Sequence, residues 1–189
     1  MILCFFDTET TGLNHNKHEI IEYSIIVHIN DEEKFRRTRR VKPLRINEAD
    51  PDALKINGFD PLKWINPEHP NKTADFFTEL IYQYPEMIFV GHNVQFDLAF
   101  LKKLCQDYHP NFWIKNRYID TKCLAIATLF PVGLKSAKLD EIRRFLDWTC
   151  INSHRAEKDC EDARDLFYLC RKDLNSFDCK YPKDRIEFT

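Results

Sequence analysis

The chain has 189 residues, 43% of them hydrophobic and 31% charged, with a formal net charge of −2. That length and balance describe one globular domain with a sizeable core and exclude a disordered, collagenous or low-complexity chain. No global positive field draws it onto a polyanion, no apolar run is long enough to span a bilayer, and no basic region precedes the short apolar start, so a cytoplasmic protein with no membrane partner is expected.

Residues 2–6, "ILCFF", read as a buried strand, apolar on both faces. In "IIEYSIIVHI" (20–29) the two-residue period puts Ile21, Tyr23, Ile25, Val27 and Ile29 on one face of a second strand. "NDEEK" (30–34) reads as a turn and "FRRTRRV" (35–41) as a third strand, and such short connections imply an antiparallel meander. Residues 42–70 carry five prolines and read as irregular, with a short helix near 48–56; loops of that length are usually functional or mobile. "TADFFTELIYQY" (73–84) sets Phe77, Leu80, Ile81 and Tyr84 at helical spacing. "EMIFV" (86–90) is a short buried strand ending at Gly91, and "FDLAFLKKLCQDY" (96–108) a second amphipathic helix. Two more helices fall at 139–146 and 157–172, the last with Cys160, Ala163, Phe167 and Cys170 as its apolar stripe. Strands first, then alternating helices and strands, give an α/β or α+β domain with a mixed sheet. The domain is read over 1–175, with a short tail at 176–189. Seven cysteines lie scattered without a C-x-x-C pair, which fits reduced, mostly buried thiols better than a disulfide framework or a zinc site.

Three acidic stretches stand out. Asp7 and Glu9 are one residue apart, so on a strand both side chains point the same way and repel unless a cation or protons neutralise them; the plainer alternative is that both reach solvent past the strand end. Asp97, in "VGHNVQFDLAFL" (90–101), lies in the first turn of a helix, where a capping acid is the plain alternative. In "SHRAEKDCEDA" (153–163), His154 precedes a helix and Asp159 lies near its start, framed by Ala156 and Ala163. Asp162 and Asp165 read as ordinary exposed acids. Four carboxylates and a histidine where a sheet end meets two helix starts suit hard divalent cations, Mg²⁺ or Mn²⁺, rather than zinc. Two such ions about 4 Å apart would clamp the attacking and leaving oxygens of a phosphodiester.

"DTETTGL", "GHNVQFDLAFL" and "HRAEKD", in that order, resemble the three motifs of the DEDDh 3′→5′ exonucleases, and the resemblance covers residue 2 to about 172. "YIDTKCLA" (118–125) and "LKSAKLDEIRRFL" (134–146) resemble the family's intervening segments. The resemblance implies an α/β, ribonuclease H-like fold: a mixed five-stranded sheet, an antiparallel meander followed by parallel strands, flanked by helices. It also implies that Asp7, Glu9, Asp97 and Asp159 hold two Mg²⁺ ions, with Mn²⁺ able to substitute, and that His154 is the general base. Thr8, Thr10, Gly12 and Leu13 would cradle the terminal nucleotide, with Leu13 as a wedge, while Asn93 and Phe96 would lie along the strand. Ordinary core packing is the alternative for Leu13 and Phe96.

"RRTRR" (36–40) and Lys135 and Lys138 are phosphate-contact candidates, against the reading of an edge strand guarded by charge. The expected activity is metal-dependent 3′→5′ hydrolysis of single-stranded ends releasing nucleoside 5′-monophosphates. DNA is favoured because "DPDALKINGFDPLKW" (50–64) resembles the corresponding stretch of proofreading members. Exoribonuclease action on RNA 3′ ends and a catalytically silent binding module are the alternatives. A DNA polymerase partner and the oligomeric state are not legible in the residues.

Overall fold

The computed structural model describes residues 1–115, 117–149 and 155–176, with side chains described as far as residue 172. The expected tail therefore lies outside the described residues, except that the last helix continues to Ser176. The sheet has five strands in the order β3-β2-β1-β4-β5. β1 (Ile2–Thr10), β2 (Ile20–Ile29) and β3 (Glu32–Arg40) form the antiparallel meander, and β4 (Ile88–Gly91) and β5 (Tyr118–Asp120) run parallel to β1. This is the expected mixed sheet.

Two details differ from the sequence reading. The β2–β3 turn is only Asn30–Asp31, both at positive φ (52° and 68°), so the hairpin is tight and residues 32–34 join the strand. β1 does not stop at Phe6; its ladder with β2 continues through Asp7↔Ser24 and Glu9↔Glu22. The polar run 7–10 hides this continuation from an apolarity count, yet backbone pairing is indifferent to side-chain polarity, and Thr8 and Thr10 are buried.

Among the described residues six helices follow: α1 (Pro51–Ile56), α2 (Pro70–Gln83), α3 (Val94–Tyr108), α4 (Thr121–Leu129), α5 (Leu139–Phe145) and α6 (Ala156–Ser176). A short 3₁₀ turn, Ile46–Glu48, precedes α1. On one face of the sheet Cys4, Phe6, Tyr23, Ile25 and Val27 pack with Phe77 and Leu80 of α2 and with Phe100, Leu101 and Cys105 of α3. On the other, Leu3, Phe5, Ile26 and Val90 meet Cys160 and Phe167 of α6. Both faces are thus covered, and β2 is buried nearly throughout rather than on one face alone. α4, α5 and α6 close a third cluster around Leu129, Ile142 and Leu166. Among the described cysteines Cys4, Cys105, Cys160 and Cys170 are buried free thiols and Cys123 is exposed; Cys150 and Cys179 lie outside the described residues.

This layering aims the acids. Asp7 and Glu9 share the parity of Leu3 and Phe5, hence the α6 side, whereas Thr8 and Thr10 face α2 and α3. No helix among the described residues is long and apolar enough to cross a membrane.

Candidate metal centre and substrate cleft

Asp7, Glu9 and Asp159 each place one carboxylate oxygen so that all three lie within 4.8 Å of one another. Two come from β1, whose ladder with β2 runs through both of them, and the third from the first turn of α6. Ala156 and Ala163 are buried, so the face of α6 bearing Asp159 sits close against the sheet.

Asp97 stands just outside this trio. It is 4% exposed, and its Oδ1 accepts the Thr8 amide at 3.0 Å and the Thr8 hydroxyl at 2.6 Å. Thr8, between the two β1 acids, therefore tethers the fourth acid to the same strand. Its hydroxyl serves Asp97, a role the sequence reading had assigned to substrate contact.

The electrostatics follow from packing acids together in a poorly solvated place. Burial first, then repulsion from Asp97, Asp159 and Glu9, holds the Asp7 carboxyl well above the usual carboxylate range, with Arg143 opposing. Burial, then Asp159, Glu22 and Asp97, pushes Glu9 up to about 8, with Arg155 opposing. Burial likewise raises Asp97 to about 7, against the two bonds from Thr8. Neither Asp7 nor Glu9 forms an ion pair with a described residue. A donor set of carboxylates alone, converging and undercompensated, fits a hard divalent cation.

The residues around the trio are ones that sequence reasoning missed. Arg143 is 0% exposed, and its guanidinium binds Asp159 at 2.5 Å, Asp140 at 2.7 Å and Asp162 at 2.7 Å. Asp162 is therefore not the exposed acid expected: it is 1% exposed and also takes Lys158 at 2.6 Å. Asp165, by contrast, is exposed and pairs with Arg164. Glu22, 1% exposed, stands across the ladder from Glu9 and is gripped by Arg155 through Nε at 3.1 Å and Nη2 at 2.7 Å. Both omissions had a signal. Arg143 falls on the stripe 139, 142, 146 that should be apolar, and Glu22 interrupts an otherwise apolar strand. A charge in such a place needs a buried partner.

The remaining candidates divide. Leu13 is 78% exposed in the turn after β1, so core packing does not describe it. Phe96 is half-buried, its ring 4.9 Å from that of Phe100. Asn93 is exposed in the left-handed region (φ 66°), and its amide donates to Asp120 Oδ1 at 3.0 Å. Thr10 donates its hydroxyl to the Gly12 carbonyl at 2.8 Å, which shapes the turn after β1. Gly12, expected to make room for a ligand, has a nearer reason to lack a side chain: a Cβ would lie 2.3 Å from the His18 ring. Gly91 is similar, because a Cβ there would lie 2.6 Å from the Phe6 carbonyl oxygen where β4 meets β1. His154 lies outside the described residues.

A cleft of about 300 Å³ opens beside Asp159, lined by His92, Asn93, Lys138 and Arg143 among others. His92 spans it, its Nε2 2.8 Å from the Ala137 carbonyl and its Nδ1 3.1 Å from the Thr121 hydroxyl. Burial holds this imidazole below its usual pKa, so it is neutral at pH 7 and pins the 131–138 loop to the start of α4.

Comparison with known proteins agrees with this architecture. The DNA polymerase III subunit epsilon of Treponema pallidum is 28% identical over 165 residues, 86% of this chain and 73% of that protein. The PolC-type DNA polymerase III of Caldanaerobacter subterraneus subsp. tengcongensis is 26% identical over 93% of this chain, and the 3′-5′ exonuclease DinG of a Staphylococcus aureus strain is 37% identical over 86% of it. The chain spans only 12% and 17% of the length of those two proteins. Among solved structures, an E. coli exonuclease I–single-stranded DNA complex superposes with a TM-score of 0.78 at 18% identity, over 93% of this chain and 41% of that one. Exonuclease X with duplex DNA gives 0.67 at 21% identity, over 92% and 93%. A family model described as exonuclease matches residues 4–167, and the chain belongs to that exonuclease family.

Proposed function

We propose that the chain is a metal-dependent 3′→5′ exonuclease that removes nucleoside 5′-monophosphates from single-stranded ends, with DNA as the favoured substrate. The observation that carries this is the convergence of Asp7, Glu9 and Asp159 oxygens within 4.8 Å, on acids whose own charges oppose one another. Names among the relatives support DNA: two are DNA polymerase III proteins, and exonuclease I was solved with DNA oligonucleotides.

In this reading Asp7, Glu9 and Asp159, with Asp97 close behind, hold two Mg²⁺ ions. When bound, those ions supply charge neutralisation at the phosphodiester and an acidified water. The protein's own groups do the rest. The β1 ladder fixes Asp7 and Glu9, Thr8 holds Asp97, and Arg143 holds one oxygen of Asp159. Leu13 and Phe96 take the terminal nucleotide between an exposed leucine and a half-buried ring, a contact tolerant of base identity. His154, by its place in the motif, removes the proton from the attacking water, a task suited to an imidazole near neutral pH.

The test is hydrolysis of 3′-labelled and 5′-labelled DNA and RNA strands of one sequence with Mg²⁺, with EDTA as control. Stepwise loss of 3′ mononucleotides from DNA at a rate at least tenfold that on RNA is expected. Faster action on RNA would replace DNA by RNA in this reading, since the acids act on a phosphodiester common to both and discrimination lies at the 2′-OH. No metal-dependent shortening of either strand would mark a silent binding module. Association with a DNA polymerase, as the epsilon relative's name suggests, would be read separately by co-purification.

A further inference from the structure

On the β3 side of the acids a groove of about 720 Å³ runs between the end of β3 and the segment 65–72. Its floor is Glu22, already held by Arg155, with Arg40 Nε 3.7 Å away. Arg40 itself lies over the Trp64 ring, 4.6 Å from its centroid, so that cation is fixed in place. The second acid in the lining, Glu68, pairs with Arg37 at 2.5 Å and accepts from the Tyr23 and Thr73 hydroxyls.

Two cations in this groove are differently employed. Arg39 is exposed, its side chain donating to the carbonyl of Thr38 at 2.7 Å, and Lys72, in the same lining, is exposed. Among the described residues neither has a carboxylate within ion-pair distance. Elsewhere on β3 the arginines are neutralised: Arg36 pairs with Glu33 and Glu161, and Arg37 with Glu68. Charge guarding a sheet edge describes those two. It does not describe Arg39 and Lys72, which both line one concave channel with a positive excess. Ile65, 73% exposed in the same lining, adds an apolar surface.

The channel's position gives it a purpose. Arg40 pairs with Glu22 across one ladder, and Glu22 with Glu9 across the next. With strands about 4.8 Å apart, the Arg40 backbone lies roughly 10 Å from that of Glu9; Arg39, opposite Tyr23, projects from the other face of the sheet, on the side of α2 and Lys72, so the groove bends round the end of β3 to reach them. At about 3.4 Å per stacked nucleotide, that is some three nucleotides from the bond being cut.

We propose that this groove binds the phosphate backbone of the nucleic-acid strand upstream of the scissile bond, with Arg39 and Lys72 as its phosphate contacts. The inference rests on the exonuclease reading for the strand's direction, but its binding test does not need hydrolysis. A strand reaching the groove gains two charge contacts; a dinucleotide seated at the acids gains none.

The experiment uses the full chain. Binding of a fluorescein-labelled 12-mer of deoxythymidylate is followed by anisotropy in EDTA, for wild type, Arg39→Ala/Lys72→Ala, and Arg36→Ala as a control. Hydrolysis of the 12-mer and of a dinucleotide is then compared in Mg²⁺. The double variant is expected to bind the 12-mer at least tenfold more weakly and to lower the slope of log affinity against log salt by about 1.4, at ~0.7 per phosphate. Its KM for the 12-mer rises to match, dinucleotide hydrolysis stays within twofold of wild type, and Arg36→Ala behaves as wild type. Unchanged 12-mer binding and an unchanged salt slope would overturn the proposal, as would equal losses on dinucleotide and 12-mer. If the binding difference is found but no protein hydrolyses anything, the groove stands and the exonuclease reading falls.

Discussion

Two sets of acids meet at the same end of the sheet, Glu22 lying across a ladder from Glu9 and Asp162 three residues beyond Asp159, and they are treated in opposite ways. Glu22 and Asp162 are almost wholly buried, and each is met by arginine: Arg155 for Glu22, Arg143 for Asp162. Asp7 and Glu9 are half-buried and meet chiefly other acids. The first set is finished by the polypeptide, and the second needs something the polypeptide does not supply. Burial alone therefore does not mark a functional carboxylate; burial without a matching cation does.

The sharpest way to break this contrast is to neutralise one acid of the unfinished set. Asp7→Asn should cost roughly a thousandfold in turnover while leaving the metal-free melting temperature level or higher, because a repulsive group is removed. A clear fall in melting temperature, measured in EDTA, would place Asp7 among the structural acids instead.

The reverse result is expected of Glu22. Glu22→Ala strands the Arg155 and Arg40 cations, and breaking a buried pair from one side costs about 3–5 kcal/mol. Because Arg155 is partly exposed, the low end applies, roughly 6–12 °C at ~2–4 °C per kcal/mol. Calorimetry checks it, and a change under 2 °C would remove Glu22 from the structural set.

Ion addition sharpens the comparison further. At a hundred times its dissociation constant, a bound ion contributes about 2.7 kcal/mol, so Mg²⁺ should raise the wild-type melting temperature by ~5–10 °C and leave Asp7→Asn nearly unmoved.

The smallest effect is in the pH dependence. In EDTA the folded protein keeps a proton on Glu9 up to about pH 8 and on Asp97 up to about 7, whereas the unfolded chain releases both near 4. The native state binds more protons across that window, so metal-free stability should fall as pH rises from about 5 towards 8. With Mg²⁺ in place of those protons the slope should flatten. Melting temperatures at three pH values with and without the ion test both statements, and a metal-free curve rising over the window would contradict the crowding of the acids.

Much of this was readable in the residues, unevenly. Periodicity located β2, α2, α3 and α6, and the alternation of β1 aimed Asp7 and Glu9 together. β5 and α4 were not assigned from periodicity: a three-residue strand has too few positions to show a period, and α4 carries no strong apolar stripe. The length of β1 was underestimated because its last four residues are polar, while a ladder is specified by the partner strand. Arg143 and Glu22 escaped for a related reason: local pattern marks where a charge is unexpected but does not reveal its partner, which lies 16 or 19 residues away for Arg143 and 133 for Glu22.

The helix α6 carries one further consequence. Asp159 lies in its first turn, and twelve residues on, about 18 Å at 1.5 Å per residue, Arg171 is bound to Asp31 in the tight β2–β3 turn while Tyr168 meets His28. One rod thus joins the hairpin tip to the acid trio across the whole height of the sheet. The hairpin is thereby tied through α6 to the helix end that carries Asp159, so loosening the turn is expected to shift Asp159 relative to Asp7 and Glu9.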